Sequence, residues 1–272
     1  MEANLTDDEL ETLLSDLFEQ YGYDFTSYAK ASMMRRVRRL MLLDKFPGFP
    51  EFRGRLLSDK DYLNRFIEEI TVNVTEMFRD SAFYISLRNF VLPELAKHPF
   101  IRIWHAGCSS GEEVYSMAIM LKEAGLLERS LIYATDINPD VVEGAKKGIF
   151  PLPLMKQYSE NYIQAEGQED FSIYYTAQYN KVIFNEQLRK HMIFATHNLV
   201  SDSSFNEFQL ILCRNVMIYF EKELQDRVLD IFDHSLEKGG FLALGSKETI
   251  RFSGIGHRYS QLGANRIWKK IL

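Results

Sequence analysis

Ile101-Arg-Ile-Trp-His-Ala-Gly-Cys-Ser-Ser-Gly-Glu-Glu-Val-Tyr115 is the stretch whose reading decides the fold. Ile101 to Trp104 reads as a short buried strand, the small residues after it as a turn, and the segment from about Gly111 as a helix. Small residues let backbone approach a ligand closely, and a new helix points its free N–H groups at the same place. An open α/β sheet holds a nucleotide-like cofactor in this way. Gly107 and Gly111 do not fit the dinucleotide spacing G-x-G-x-x-G, so other stretches must decide the cofactor.

From Ile101 onward strand and helix patterns alternate. Leu131 to Thr135 is a second strand ending in Asp136; Asn138-Pro139 opens a helix with a cap and a first-turn proline, and Gly148 closes it. Met192 to Thr196 and Gln209 to Cys213 read as further strands. Glu221 to Lys238 reads as a helix stopped by Gly239-Gly240, Phe241 to Gly245 as a strand, and the segments near 257–262 and 265–270 as a final antiparallel pair. Such alternation argues for a mostly parallel sheet covered on both faces. Residues 150–191 interrupt the rhythm: Tyr158 to Gln168 is polar, and Phe171 to Thr176 and Lys181 to Phe184 read as two short strands. An inserted antiparallel subdomain, over about 152–190, accounts for a segment too long for a bare loop.

Before residue 71 the chain reads as helical. Thr6 and Glu9 form a capping box for a helix over 6–21, with Leu10, Leu13, Leu14, Leu17, Phe18 and Tyr21 on one stripe. A second helix, about 27–43, buries Met33, Met34, Val37, Leu40 and Met41 and turns Arg35, Arg38 and Arg39 to its other side. Pro47-Gly48 and Pro50 break the pattern, and two more amphipathic helices follow, the clearer one over Asp59 to Ile70. The reading is a helical domain over residues 1–75 and an α/β domain over 76–272, joined by Thr71-Val-Asn-Val-Thr-Glu-Met-Phe-Arg79. Asp80 can cap the next helix, which Pro93 interrupts or restarts.

A hydrophobic content of 46% with 26% charged residues describes a globular chain. No apolar run approaches the roughly 18 residues that span a bilayer, so no membrane insertion is expected. Seven acidic and no basic residues precede Tyr21, which is neither a signal nor a transit peptide. The two distant cysteines, Cys108 and Cys213, fit a reducing cytoplasm, as packing residues rather than redox groups. A net charge of −6 argues against a general nucleic-acid binder. Lys30, Arg35, Arg36, Arg38 and Arg39 nevertheless crowd into ten residues, a local excess that can steer an acidic partner or serve only as a solvated face.

In a doubly wound sheet, ligands bind beyond the carboxyl ends of the strands where strand order reverses. Gly107 to Glu113, Asp136, Asn198 and Arg214-Asn215 fall at four such ends. Asp136 is placed to accept hydrogen bonds from both ribose hydroxyls, or is an exposed turn carboxylate. Glu112 and Glu113 open a helix, where the dipole favours acids in any case. Tyr219, four residues after Asn215, can face a cofactor or pack as a half-buried aromatic. His197 has no companion at metal-ligand spacing, so no metal is expected.

Four stretches taken together resemble one family: Thr71 to Arg79; Trp104-His-Ala-Gly-Cys-Ser-Ser-Gly-Glu-Glu-Val-Tyr-Ser116; Ala134-Thr-Asp-Ile137; and Cys213-Arg-Asn-Val-Met-Ile-Tyr-Phe220. Their order and spacing resemble the CheR chemotaxis-receptor methyltransferases, which esterify glutamate side chains with S-adenosylmethionine and release S-adenosylhomocysteine. The resemblance implies a class I methyltransferase fold with a doubly wound, mostly parallel sheet, an N-terminal all-helical domain and an inserted antiparallel β-subdomain. By motif match it places Asn73, Thr75, Arg79, Gly107, Glu112, Glu113, Asp136, Asn198, Leu199, Arg214 and Asn215 around the cofactor, with Arg79 and Tyr219 as catalytic residues. Arg35, Arg38 and Arg39 would meet an acidic receptor coiled coil, in the cytoplasm, with the enzyme acting as a monomer. One segment departs from the family: where members that bind a receptor's pentapeptide tether carry a Gly-Thr-Gly-like turn, this chain has Tyr162-Ile-Gln-Ala-Glu-Gly-Gln-Glu-Asp-Phe171, which counts against tether binding. Two alternatives stand beside this expectation: a scaffold that binds the cofactor and transfers nothing, and a methyltransferase with another acceptor. Asn215 to Tyr219 lacks the prolines of the Asn-Pro-Pro-Tyr-like motif of amino-methylating DNA enzymes.

Overall fold

A computed structural model describes residues 5–71 and 75–272. They form two compact units: Met1–Asn73 with Ile218–Val228, and Val74–Met217 with Leu229–Leu272.

The smaller unit is built on four helices, α1 (Asp7–Tyr21), α2 (Lys30–Leu43), α3 (Phe49–Ser58) and α4 (Lys60–Thr71). The capping box is present in both directions, with the Glu9 N–H donating to Thr6 Oγ1 and the Thr6 N–H to Glu9. Every apolar residue expected inside α2 is buried, and α4 buries Tyr62, Leu63, Phe66, Ile67 and Ile70. Pro50 does not end a helix; it lies in the first turn of α3, where its missing N–H is no loss. Returning chain closes this unit: Tyr28 and Phe220 form an antiparallel bridge, and the Ala29 N–H donates to Tyr219 O at 2.8 Å.

The larger unit begins with α5 (Ser81–Ser86), a π-helical turn over Leu87–Val91, and α6 (Leu92–Leu95), restarted around Pro93 as the sequence predicts. Then come β1 (Ile101–Ala106), α7 (Glu112–Glu123), β2 (Ser130–Asp136) and α8 (Pro139–Lys147). After the insert, β6 (Met192–Thr196), β7 (Phe208–Cys213), α11 (Lys222–Ser235), β8 (Leu236–Leu244), β9 (Tyr259–Leu262) and β10 (Ile267–Lys270) complete the main sheet; α11 crosses the division between the units. Strand order is β6-β2-β1-β7-β8-β10-β9, parallel from β6 to β8, with β10 antiparallel to both neighbours. All six residues of β7 are buried, as expected of a strand covered on both faces.

The insert holds β3 (Ile149–Pro151), α9 (Met155–Gln164), β4 (Tyr175–Gln178), β5 (Lys181–Phe184) and α10 (Glu186–Arg189), with an antiparallel sheet ordered β3-β5-β4. Here two readings need correction. Phe171–Tyr174 is a 3-10 turn opened by the Asp170 carboxylate, and the strand starts only at Tyr175. Residues 158–164 belong to α9, which buries Met155, Tyr158 and Tyr162 along one face. Likewise, the helix expected to reach Lys238 ends at Ser235, because Leu236 already pairs with Phe208 and Gly239-Gly240 lie inside β8.

Candidate active site

Parallel pairing sets the carboxyl ends of β6, β2, β1 and β7 along one edge of the sheet: Asp136 faces Thr196, Ala106 faces Thr135, and His105 faces Leu212. Strand order reverses between β1 and β7, so the site expected from topology lies there.

Gly107 opens the turn after β1 with φ +81°, and a Cβ there would come within 2.4 Å of Val216 Cγ2. The Gly107 and Cys108 N–H groups both donate to Thr135 O at 2.8 Å, which ties the turn to β2. Asp136 completes that tie. Its Oδ2 accepts the Ser109 N–H at 2.9 Å and its Oδ1 the Asn138 N–H at 3.1 Å. The carboxylate is 8% exposed, so it is no exposed turn acid. Burial pushes its pKa up, and backbone N–H donors oppose that rise. Its two oxygens together have more lone pairs than these backbone donors fill.

Glu112 and Glu113 diverge. Glu112 is buried, accepts from Ser110 Oγ at 2.6 Å and from the Tyr158 hydroxyl of α9 at 3.3 Å, and is pushed up by burial. Glu113 meets His105 Nδ1 at 3.0 Å and accepts from Arg214 Nη1 at 3.0 Å. Burial works against its charge, but His105 and Arg214 hold its carboxyl below the usual range. Arg214, with a side chain 4% exposed, also donates to Asp80 Oδ2 at 2.7 Å and lies 3.9 Å from the Phe83 ring centre. Asp80 therefore does not cap α5 with its side chain as expected; its carboxylate is drawn to Arg214.

Arg79 stands between two non-glycine residues of positive φ, Phe78 at 53° and Asp80 at 61°. Phe78 is anchored by its N–H to Ser116 Oγ of α7 at 3.0 Å. Thr75 is partly exposed at the start of this segment, and Asn73 lies outside the described residues. Asn198 accepts the Val200 N–H at 2.9 Å, and Leu199 is buried beside it. Asn215 has φ +62°, and its N–H and that of Val216 donate to Glu248 at 2.9 and 3.0 Å. Among the described residues eight non-glycines have positive φ; Phe78, Ser109 and Asn215 lie in the motif segments and Asp80 directly follows one. Backbone held in such conformations is characteristic of ligand clamps.

Glu248 was not legible in the motifs. It is 5% exposed and also accepts the Gly245 N–H, so it shapes the loop carrying Asn215. The only sequence signal is an acid shortly after the β8 strand. Tyr219 groups with the helical unit, in a 3-10 turn over Met217–Tyr219. There the Arg36 guanidinium covers one face of its ring at 4.6 Å. Arg36 is 8% exposed and also donates to Ile70 O and to Glu69 O. Its burial was foreshadowed by its place between Met33 and Leu40 on the apolar stripe. Arg35, Arg38 and Arg39 are exposed beside Leu42 and Leu43; Arg38 donates to Leu5 O at 2.6 Å and Arg39 pairs with Glu69.

His105 Nε2, Ser109 Oγ, Asn138 Nδ2, His197 Nδ1 and Arg214 Nε are buried with no hydrogen-bond partner among the described residues. All lie at or just past the carboxyl ends of the strands along one sheet edge, and buried polar atoms of this kind ordinarily have partners. A tight glycine turn, a buried acid with a lone pair to spare and unmatched polar atoms fit a cofactor bearing hydroxyl, amino and carboxylate groups. Burial raises both thiols, Cys108 and Cys213, leaving them inert. No group of three or more metal-ligand side chains stands together among the described residues, and none of their helices is long and apolar enough to cross a membrane.

The seven-stranded sheet with its reversed last strand, the glycine turn after β1 and the acid after β2 define a class I S-adenosylmethionine-dependent methyltransferase. Residues 73–266 match the SAM-binding domain of CheR methyltransferases and residues 8–71 match the all-alpha CheR domain. The chain belongs to the CheR methyltransferase family, with S-adenosylmethionine as its cofactor. It is 46% identical over 266 residues to a Pseudomonas putida protein carrying the methyltransferase name Cher3, covering 97% of each chain. It is 32% identical to a chemotaxis protein methyltransferase of Borreliella burgdorferi, over 92% of this chain and 91% of that one. A chemotaxis protein methyltransferase of Listeria monocytogenes is 33% identical, over 84% and 85%.

Proposed function

We propose that this enzyme methylates glutamate side chains on the cytoplasmic coiled coils of chemoreceptors, forming methyl esters. The carrying observation is Arg79, a cation held on a segment anchored to α7, in the same unit as the glycine turn and Asp136. The names of the Borreliella and Listeria relatives support a chemotaxis substrate.

The cofactor supplies a methyl group already electrophilic on a sulfonium. A glutamate has a pKa of about 4.3 in peptides, so the acceptor is anionic at neutral pH and the enzyme needs no general base. The protein's task is to bind and align. Arg79 captures the acceptor carboxylate through charge-assisted hydrogen bonds. Asp136 would offer a spare lone pair to the ribose hydroxyls, and Gly107 shapes the turn beside it. Asn73, Thr75, Glu112, Glu113, Asn198, Leu199, Arg214 and Asn215 line the cofactor in this reading, with Glu112 held by Ser110 and Tyr158 and Glu113 held by His105 and Arg214. Alignment of this kind supplies roughly 7–11 kcal/mol of a barrier. Tyr219 is the catalytic tyrosine in this reading, by its place in the motif; with one ring face on Arg36, it acts through its hydroxyl or opposite face.

Arg35 and Arg38, with Leu42 and Leu43, present a basic and apolar strip complementary to an acidic coiled coil; Arg39 contributes less because Glu69 neutralises it. The enzyme acts in the cytoplasm, as a monomer, without a tether. Incubation with methyl-labelled cofactor and receptor cytoplasmic fragments tests the reading: the expected product is a protein methyl ester whose label is released by mild base. Cofactor binding with no label on any acidic protein would establish a scaffold instead, and a base-stable label a different acceptor.

A further inference from the structure

We infer that Asp80, held by Arg214, is a positioning residue that fixes the backbone presenting Arg79. The inference rests on the proposed role of Arg79 in capturing the acceptor. An aspartate at a helix N-cap normally turns its carboxylate to the first N–H groups of its own helix. Asp80 occupies that place before α5 and makes no such bond. Its carbonyl accepts the Phe83 N–H at 2.7 Å, while its carboxylate reaches across to Arg214, at the end of β7, at 2.7 Å. Arg214 is itself immobilised by Glu113 and by the Phe83 ring, and Glu113 by the buried His105. A chain of contacts therefore runs from the β1 strand through Glu113 and Arg214 to the residue next to Arg79.

The other neighbour is fixed as well. The Phe78 ring is 1% exposed and packs 5.1 Å from both Tyr84 and Tyr162, with its N–H on Ser116. Both flanking residues have positive φ, which is costly for a phenylalanine and uncommon even for an aspartate. Packing imposes it at Phe78. At Asp80, whose side chain is 48% exposed, the ion pair with the buried Arg214 does so. Without that pair the Asp80 backbone is free to relax and Arg79 to shift.

Two substitutions separate positioning from stability. Asp80→Asn removes the charge; Asp80→Gly removes the anchor while suiting the positive φ. Both are expected to lower kcat/KM for ester formation by between about tenfold and a hundredfold, the scale of a small misplacement. Asp80→Gly should keep Tm within about 3 °C of the parent. In an Arg79→Ala background the same Asp80 changes should cost less than about twofold, because the group they position is gone. Equal losses with and without Arg79, or undiminished turnover in both Asp80 variants, would overturn the inference alone. Normal turnover in Arg79→Ala would remove Arg79 from acceptor capture, and this inference with it.

Discussion

Gly107 shows how a single position constrains the turn on which the cofactor site depends. Its φ of +81° costs an L-residue about 1–2 kcal/mol, and a Cβ 2.4 Å from Val216 Cγ2 adds about 1–3 kcal/mol of overpacking. Gly107→Ala is therefore expected to lower the free energy of urea unfolding by about 2–5 kcal/mol. Because half of that penalty is a collision, the double variant with Val216→Ala should lose less than the sum of the two single variants. Strict additivity would show that the collision is absent. This glycine was legible in sequence because a small residue directly after a strand has a local reason. Glu248 and Asp80 were not, since each is defined by partners, Asn215 and Arg214, far along the chain.

At the scale of elements, one carboxylate joins the insert to the sheet-covering helix. Glu123, at the end of α7 with a side chain 1% exposed, accepts from the Tyr162 and Tyr174 hydroxyls and the Gln168 N–H, and pairs with Arg88 at 2.9 Å. Removing it strands Arg88 and two tyrosine hydroxyls, so Glu123→Ala should cost about 3–5 kcal/mol. The loss should be local in its first effect: amide exchange across α9 and the turn Phe171–Tyr174 should accelerate while β2 stays protected. Uniform acceleration through β1 and β2 would show that the insert does not open by itself. The sequence located this insert by the break in strand–helix rhythm, and its β5 strand by alternation. It misplaced the first strand because Phe171-Ser-Ile-Tyr alternates like a strand, whereas the Asp170 carboxylate, accepting the Ser172 N–H at 2.9 Å, winds it into a 3-10 turn.

For the molecule as a whole, acid stability follows from which carboxylates are held below their ordinary range. Asp233 is buried between α11 and the β9–β10 pair; burial opposes its charge, but Tyr259, Arg258 and Lys270 hold its pKa down. Glu113 is held down in the same way by His105 and Arg214. A depressed folded pKa gives stability that is present above the unfolded value, about 3.9 for Asp and 4.3 for Glu, and lost as pH falls through the folded value. Asp136 and Glu112, pushed up by burial, act in the opposite sense. Unfolding followed by fluorescence of Trp104 and Trp268, both buried in the larger unit, should show stability falling below about pH 4. Asp233→Asn should lower the neutral plateau and flatten that fall; an unchanged slope would remove Asp233 from the acid response. The sequence by itself determined the helical and α/β halves, the strand carrying the glycine turn, the acid after β2 and the family, because periodicity, caps and contiguous motifs are local properties of the chain. Only the tertiary structure decided that Asp80 turns to Arg214 instead of its own helix, that Glu112 serves Tyr158 while Glu113 serves Arg214, and that Tyr219 packs with α2. Those choices are made by parallel register and crossover connections, which bring together groups tens of residues apart and leave no trace in local spacing.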